Sequence, residues 1–176
     1  MTATIRAEEP GDQDAISAVV TAAFNSPEHA DLVAALRAST NFIPELSLVA
    51  QVDEQIVGHV MISYVALDDD GTSREIANLS PLAVMPEHQN NGIGSALVRD
   101  VTARADVHGE PFVVLEGSPL YYPRFGFEPS VPLGIHITLP SWAPPEAAQV
   151  LRLAKYAPSI RGRVVYPPAF DLVSEE

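Results

Sequence analysis

Apolar residues along this chain recur at two spacings, and the switches between them outline its elements. Thr4 to Ala7 reads as a short strand punctuated by Pro10-Gly11-Asp12. Ile16, Val19, Val20, Ala23 and Phe24 then recur at helical spacing, the stripe of an amphipathic helix. Ser26-Pro27 puts a capping hydroxyl before a proline suited to the first helical position, and Leu32, Val33 and Leu36 predict a second helix. The period then falls to two. Leu46, Leu48, Ala50 and Val52 alternate with partners of mixed polarity, Asp53-Glu54-Gln55 turns the chain, and Ile56 to Leu67 is a long run of β-formers, so a hairpin is expected. Asp68-Asp69-Asp70-Gly71 is a second turn, leading to a strand from Arg74 to Val84 that ends just before Pro86.

From Gly92 the helical period returns: Ile93, Leu97, Val101 and Ala105 fall on one face, and Gly109 stands where a helix would stop. Phe112 to Leu115 is a compact apolar strand. Leu79 to Leu115 therefore reads as strand, glycine turn, helix, strand, a βαβ unit inside an otherwise antiparallel sheet. Pro119 to Phe125 predicts a short helix. Three strands are expected after it, at Gly134–Leu139, Ala148–Ala154 and Gly162–Tyr166, with the last two forming a hairpin. The fold class is α/β: a mixed, mostly antiparallel central sheet flanked by helices.

Composition narrows the setting. A chain of 176 residues with 47% hydrophobic and 19% charged residues can bury a core as a single domain, here 1–176, with an elaboration from about residue 129 to the end. Absence of cysteine removes disulfides, thiolate metal sites and a cysteine nucleophile, and fits a reducing cytoplasm. No basic segment leads into an apolar core at the start, so no signal peptide is expected. Ile56 to Leu67 is too short for a bilayer and is interrupted by Gly58, His59, Ser63 and Tyr64, so no membrane association is expected. A net charge of −13 serves solubility; it also disfavours nucleic acid and draws cationic small molecules or basic peptides.

The chemistry concentrates at Gln89-Asn90-Asn91-Gly92-Ile93-Gly94. Glycines between a strand end and a helix start leave backbone N–H groups pointing outward at the positive end of the helix dipole, which makes an anion cradle. A Walker loop needs Gly-Lys-Ser/Thr, and no lysine follows Gly92 or Gly94. A Rossmann fingerprint needs a third glycine and an early βαβ position, both missing here.

The run Leu79-Ser80-Pro81-Leu82-Ala83-Val84-Met85-Pro86-Glu87-His88-Gln89-Asn90-Asn91-Gly92-Ile93-Gly94-Ser95 resembles motif A of the GNAT N-acetyltransferase superfamily. In that family Gln/Arg-x-x-Gly-x-Gly/Ala follows a strand whose exposed backbone hydrogen-bonds the pantetheine arm, and the turn holds the pyrophosphate of acetyl-CoA. Gln89, Gly92 and Gly94 fill the three key places. Leu120-Tyr121-Tyr122-Pro123-Arg124-Phe125-Gly126-Phe127 resembles the family's Tyr-x-x-x-Gly-Phe segment, and the tail from Ser141 to Phe170 is similar to the bacterial YhbS-like branch. One departure stands out. Many members carry asparagine seven residues before the tyrosine, where this chain has Leu115 followed by Glu116-Gly117-Ser118-Pro119.

The resemblance implies a βαβ acetyl-CoA-binding core in which Leu82, Ala83 and Val84 line the pantetheine arm. Gln89, Asn90, Asn91, Gly92, Ile93, Gly94 and Ser95 would surround the pyrophosphate. Tyr122 would be the general acid, since a phenol with an ordinary pKa of about 10 is protonated near neutrality and can donate to the departing thiolate. A backbone N–H near Ala83 and Val84 would stabilise the oxyanion. The base is left open among Glu116, Glu87, His88, His59 and a water, each side chain having a simpler reading as a surface or sheet residue. No metal is expected, for no His-Glu-x-x-His spacing occurs, and no Gly-x-Ser-x-Gly elbow supports serine hydrolysis.

The expected activity is direct transfer of an acetyl group from acetyl-CoA to a primary amine, the acceptor being a small molecule or a peptide. Two other readings stay open: an acyl-CoA-binding regulatory or interaction module without catalysis, and transfer of a longer acyl chain. Pairing of two copies as a homodimer through the C-terminal strands is compatible with the sequence.

Overall fold

The structure, a computed structural model, describes residues 2–173. Its elements in chain order are β1 (Thr4–Ala7), α1 (Gln13–Phe24), α2 (Glu28–Arg37), β2 (Phe42–Val52), β3 (Gln55–Asp69), β4 (Thr72–Val84), α3 (Ile93–His108), β5 (Phe112–Glu116), β6 (Glu128–Pro129), β7 (Ile135–His136), β8 (Ala148–Arg152) and β9 (Gly162–Val165). The described strands form one nine-stranded sheet in the order β1-β2-β3-β4-β5-β8-β6, with β9 joined to β3 and β7. Antiparallel pairing dominates. The βαβ unit supplies a parallel pair, Ala77↔Val113 and Asn78↔Val114, as its strand-helix-strand order demands.

By chain contacts the described residues fall into two compact units. In the first, residues 2–63, 79–104 and 168–173, helices cover both faces of the strands. Ile16, Val19 and Val20 of α1 and Leu32, Val33 and Leu36 of α2 bury against Val49, Met61 and Ala83. On the other face α3 sits so close to β3 that a Cβ on Gly58 would lie 3.0 Å from Leu97 Cδ1, 3.2 Å from Ile93 Cγ2 and 3.3 Å from Ala50 Cβ. Gly58 thus seats the first turns of α3 on the sheet, the close approach that an isolated glycine in a strand signals.

Local signals account for the turns. Asp53 and Glu54 both take positive φ (50° and 66°), as do Asp70 and Gly71 (49° and 87°), the geometry of two-residue hairpin loops whose twist matches the strands they join. Asn25, at φ 51°, caps α1. The helix expected to begin at Pro27 starts at Glu28, with Ser26 Oγ accepting the Glu28 N–H at 3.4 Å and Pro27 O accepting Asp31 N–H at 2.9 Å.

The second unit comprises residues 64–78 and 105–167, with Glu175 and Glu176 outside the described range. Two expectations change here. The strand expected over Gly134–Leu139 contracts to Ile135–His136, preceded by left-handed Gly134 (φ 76°) and paired only with β9, at Ile135↔Gly162 and His136↔Arg163. The hairpin expected of the last two strands does not form. β8 already has a neighbour on each edge, β5 from Phe112↔Arg152 to Glu116↔Ala148 and β6 at Glu128↔Val150. β9 instead pairs with β3 at Ala66↔Val165 through Asp68↔Arg163, along the length of β3 beyond its register with β2, which ends at Phe42↔Ser63. Among the described residues, no helix is long and apolar enough to cross a membrane.

Candidate active site

Within the first unit, the stretch from Leu82 to Ser95 is built as a rigid loop on a strand end. Ala83 points into the core under α1 and α2, while Leu82 and Val84, on the alternate face, stay half-buried. Met85 N–H donates to Val57 O at 2.8 Å, and Pro86–His88 then makes a single 3₁₀ turn. The Gln89 side-chain amide donates back to Val84 O at 3.0 Å, and Asn91 Nδ2 to His88 O at 3.4 Å. Gln89 thereby staples the loop to the end of β4.

Asn90 (φ 64°) and Gly92 (φ 83°) are both left-handed, separated by Asn91, and α3 begins at Ile93 with Ala96 N–H bonded to Gly92 O at 3.0 Å. Alternating backbone hands of this kind turn successive N–H groups toward one point, and the first N–H groups of a helix have no intrahelical partner. A Cβ on Gly92 would meet nothing within 4 Å, so its side stands open. No acidic side chain lies in the first turn of α3 to oppose its dipole. Buried Ile93 anchors the turn from beneath, and Gly94 and Ser95 follow it in the first helical turn. Residues 89–95 thus form one turn at the start of α3, with no acidic side chain in its first turn.

Tyr122 lies in the second unit, at the start of a 3₁₀ helix, Tyr122–Phe125, that ends at left-handed Gly126 (φ 98°). Ser118 launches this turn: its Oγ accepts the N–H groups of Leu120 and Tyr121, each at 3.2 Å, and its carbonyl those of Tyr121 and Tyr122, each at 3.3 Å. Gln149 of β8 locks the segment by donating to the carbonyls of Gly117 (3.1 Å) and Ser118 (3.2 Å). The Tyr122 ring stands edge-on to Tyr121 (centroids 5.0 Å apart) and Phe127 (5.7 Å) and near Phe125 (6.4 Å). A Cβ on Gly117 would fall 2.6 Å from Tyr122 Cε2, so only glycine lets the strand end pass the ring. Burial in this aromatic nest, reinforced by Tyr121, pushes the phenol up to about 12. Among the described residues its hydroxyl has no hydrogen-bond partner. The phenol is therefore protonated across the working pH range.

The remaining titratable candidates part company. Glu87 is exposed and His88 half-exposed in the turn before the cradle. His59 is fully buried. Its Nδ1 must carry the proton, since it lies 2.9 Å from the Leu48 carbonyl, and burial holds its pKa down at about 4. It is a neutral interior residue, out of reach of any substrate. Glu116, at the end of β5, is exposed and accepts a hydrogen bond from Tyr166. Three contributors escaped the sequence reading. Gly58 and Gly117 could have been suspected from their places within and just after strands. Tyr166 carries no local signal. Among the described residues no group of three or more His, Asp or Glu gathers to hold a metal.

Comparison with known proteins places the chain in a family. Residues 4–130 match the family model described as acetyltransferase (GNAT) domain, and the chain belongs to that family. It is 36% identical over 171 residues to the uncharacterized N-acetyltransferase YhbS of Escherichia coli, covering 95% of this chain and 98% of YhbS. It is also 36% identical over 126 residues to the uncharacterized N-acetyltransferase YjhQ of Escherichia coli K12, covering 72% of this chain and 70% of YjhQ. The crystal structure of Escherichia coli YhbS in complex with CoA superposes with a TM-score of 0.85 at 33% identity, over 96% of this chain and 92% of that one. A GNAT family acetyltransferase from Brucella melitensis in complex with acetyl-CoA gives 0.77 at 32% identity, over 97% and 99%.

Proposed function

We propose that this protein transfers the acetyl group of acetyl-CoA directly to a primary amine, as one N-acetyltransferase domain elaborated from about residue 129 onward. The observation that carries the reading is the cradle at Asn90–Gly92: two left-handed residues heading a helix whose first turn holds no acid. Pyrophosphate is the ligand chemistry such a turn suits, and the relatives whose structures hold CoA or acetyl-CoA support that choice.

In this reading Asn90 to Ser95 hold the pyrophosphate through backbone N–H groups, and Leu82, Ala83 and Val84 flank the pantetheine arm. A main-chain N–H near Ala83 and Val84 stabilises the oxyanion that forms when the neutral amine attacks the thioester carbonyl. Tyr122 gives its proton to sulfur as the C–S bond breaks. The N-protonated amide, a far stronger acid than any phenol, returns one, so the high pKa of Tyr122 does not trap it as phenolate. The acidic surface, net −13, favours acceptors that carry positive charge.

The test is a panel of primary amines scored by coenzyme A release, with Tyr122→Phe beside the parent. The variant should lose turnover by about a hundredfold or more while its acetyl-CoA affinity stays within about twofold. Equal turnover in both proteins, with chemistry limiting, removes Tyr122 as the acid. Tight acetyl-CoA binding with no thiol release across the panel would instead favour a binding module.

A further inference from the structure

We propose that Asn91 is a self-modifying position: its side-chain amide is lost through attack by the Gly92 nitrogen, and the carboxylate left behind weakens binding of the acetyl donor at the same turn. The consequence for the donor rests on the acetyl-transfer reading above. The chain has five asparagines, Asn25, Asn41, Asn78, Asn90 and Asn91. Loss of the amide asks the same of each. The side chain must be exposed, the N–H of the following residue must be unengaged, and that residue must not crowd the ring that forms.

The fold separates the five. Asn78 is buried within β4 and precedes Leu79. Asn25 is exposed, but the next N–H, that of Ser26, is bonded to Thr21 O at 3.3 Å. Asn41 precedes Phe42, whose N–H is bonded to Ser39 O at 3.5 Å and whose side chain crowds the nitrogen. Asn90 precedes Asn91, which also carries a side chain. Asn91 and Gly92 are both exposed, and among the described residues the Gly92 N–H donates to no acceptor. The tether on the Asn91 amide, Nδ2 to His88 O, is 3.4 Å long, beyond the usual N–H···O range. A Cβ on Gly92 would meet nothing within 4 Å, and at φ 83° this residue has the backbone freedom that glycine alone supplies. Asn91 therefore meets all three conditions.

The step needs no reactant but water. The Gly92 nitrogen bonds to Asn91 Cγ while its proton passes to Nδ2; the Cγ–Nδ2 bond breaks, and ammonia departs from a cyclic imide. Water then opens the imide at one carbonyl or the other, giving aspartate, or isoaspartate with the backbone routed through the side chain. Either product adds one negative charge just ahead of α3, which begins at Ile93. A carboxylate suits a helix N-terminus, so the altered turn stays folded. It also repels the pyrophosphate proposed to sit there. Donor bound at the turn covers Asn91, so the unloaded protein ages and the loaded protein is protected.

The experiment incubates the full-length parent, Asn91→Gln and Asn91→Asp at neutral pH with and without coenzyme A. Peptide mapping by mass spectrometry follows each asparagine, and calorimetry gives Kd for acetyl-CoA at intervals. In the parent, Asn91 should gain one mass unit as a mixture of aspartate and isoaspartate, with the other four asparagines intact when half of it is lost. Coenzyme A at about 10 times its Kd should slow this about tenfold, the fraction of turns left empty. Asn91→Asp should raise Kd for acetyl-CoA about five- to fiftyfold, the repulsion of one added charge near the solvent boundary. Asn91→Gln, whose longer side chain must close a larger ring, should keep its mass and its own starting Kd throughout, while binding by the parent drifts toward that of Asn91→Asp.

An Asn91 lost no faster than Asn25, in a parent that binds acetyl-CoA and acetylates amines, overturns the proposal and leaves acetyl transfer standing. Loss at Asn91 that coenzyme A does not slow, with parental affinity in Asn91→Asp, overturns the link to donor binding and counts against this turn as the donor site. Loss that coenzyme A slows, in a protein that releases no thiol with any amine, supports the proposal and counts against acetyl transfer.

Discussion

Replacing Gly117 by alanine tests whether the position of the Tyr122 ring matters to the chemistry. The new Cβ would stand 2.6 Å from Tyr122 Cε2, 2.9 Å from Cδ2 and 3.2 Å from Leu115 Cδ1. Carbon atoms rest at about 3.5–4.0 Å, so the ring must move by roughly 1 Å. It has little room, since Tyr121, Phe125 and Phe127 stand around it with centroids 5.0, 6.4 and 5.7 Å away. Overpacking of this kind costs about 1–3 kcal/mol, which in a chain of this size lowers Tm by about 2–12 °C. A displacement near 1 Å at a proton donor is worth about a hundredfold in rate. Gly117→Ala should therefore fold, bind acetyl-CoA within about twofold of the parent, and release coenzyme A about ten- to a hundredfold more slowly in the presence of an accepted amine. Combined with Tyr122→Phe it should add almost nothing to the loss in kcat, because both act on one group. Parental kcat in Gly117→Ala, or a full additive loss in the double variant, would refute the reasoning.

Gly92→Ala puts a β-carbon on a residue at φ 83° whose side is open, so it should cost only about 1–2 kcal/mol of stability by chemical denaturation. Because that carbon intrudes where the pyrophosphate is proposed to sit, Kd for acetyl-CoA should rise at least about tenfold, read by calorimetry. Gly58→Val should lower Tm and weaken acetyl-CoA together: its added carbons meet Leu97 and Ile93 at 3.0–3.2 Å and lift the helix that carries the cradle, at a cost of about 1–3 kcal/mol. His59, held at about 4 by burial against an ordinary value of 6.5, binds its proton less readily in the folded than in the unfolded chain. Its contribution is therefore intact above pH 6.5 and is lost as pH falls toward 4, by roughly 1.4 kcal/mol per pH unit at most. Urea denaturation across that window should show a steeper decline for the parent than for His59→Leu. Glu8 and Arg37, the charged groups acting on His59, remain in both proteins.

Features set by neighbours in the chain were legible in the sequence. Helical spacing identified α1, α2 and α3 because one face of each must meet the core; Ile93, Leu97, Val101 and Ala105 are all buried. Paired turn residues located both hairpins, and Gly92 marked the turn into α3, because dihedral freedom is a local property. Tertiary structure decided what depends on distant partners. β8 has both edges filled by β5 and β6, so β9 went to β3 instead of closing a hairpin, a competition for backbone hydrogen bonds that no short window contains. The high pKa of Tyr122 comes from an aromatic nest assembled around it, and the low pKa of His59 from complete burial within the sheet. The hydrogen bond from Tyr166 to Glu116 spans fifty residues. Sequence determined where helices, strands and turns lie; the fold decided which strands pair and which side chains are buried together, because those depend on partners far apart in the chain.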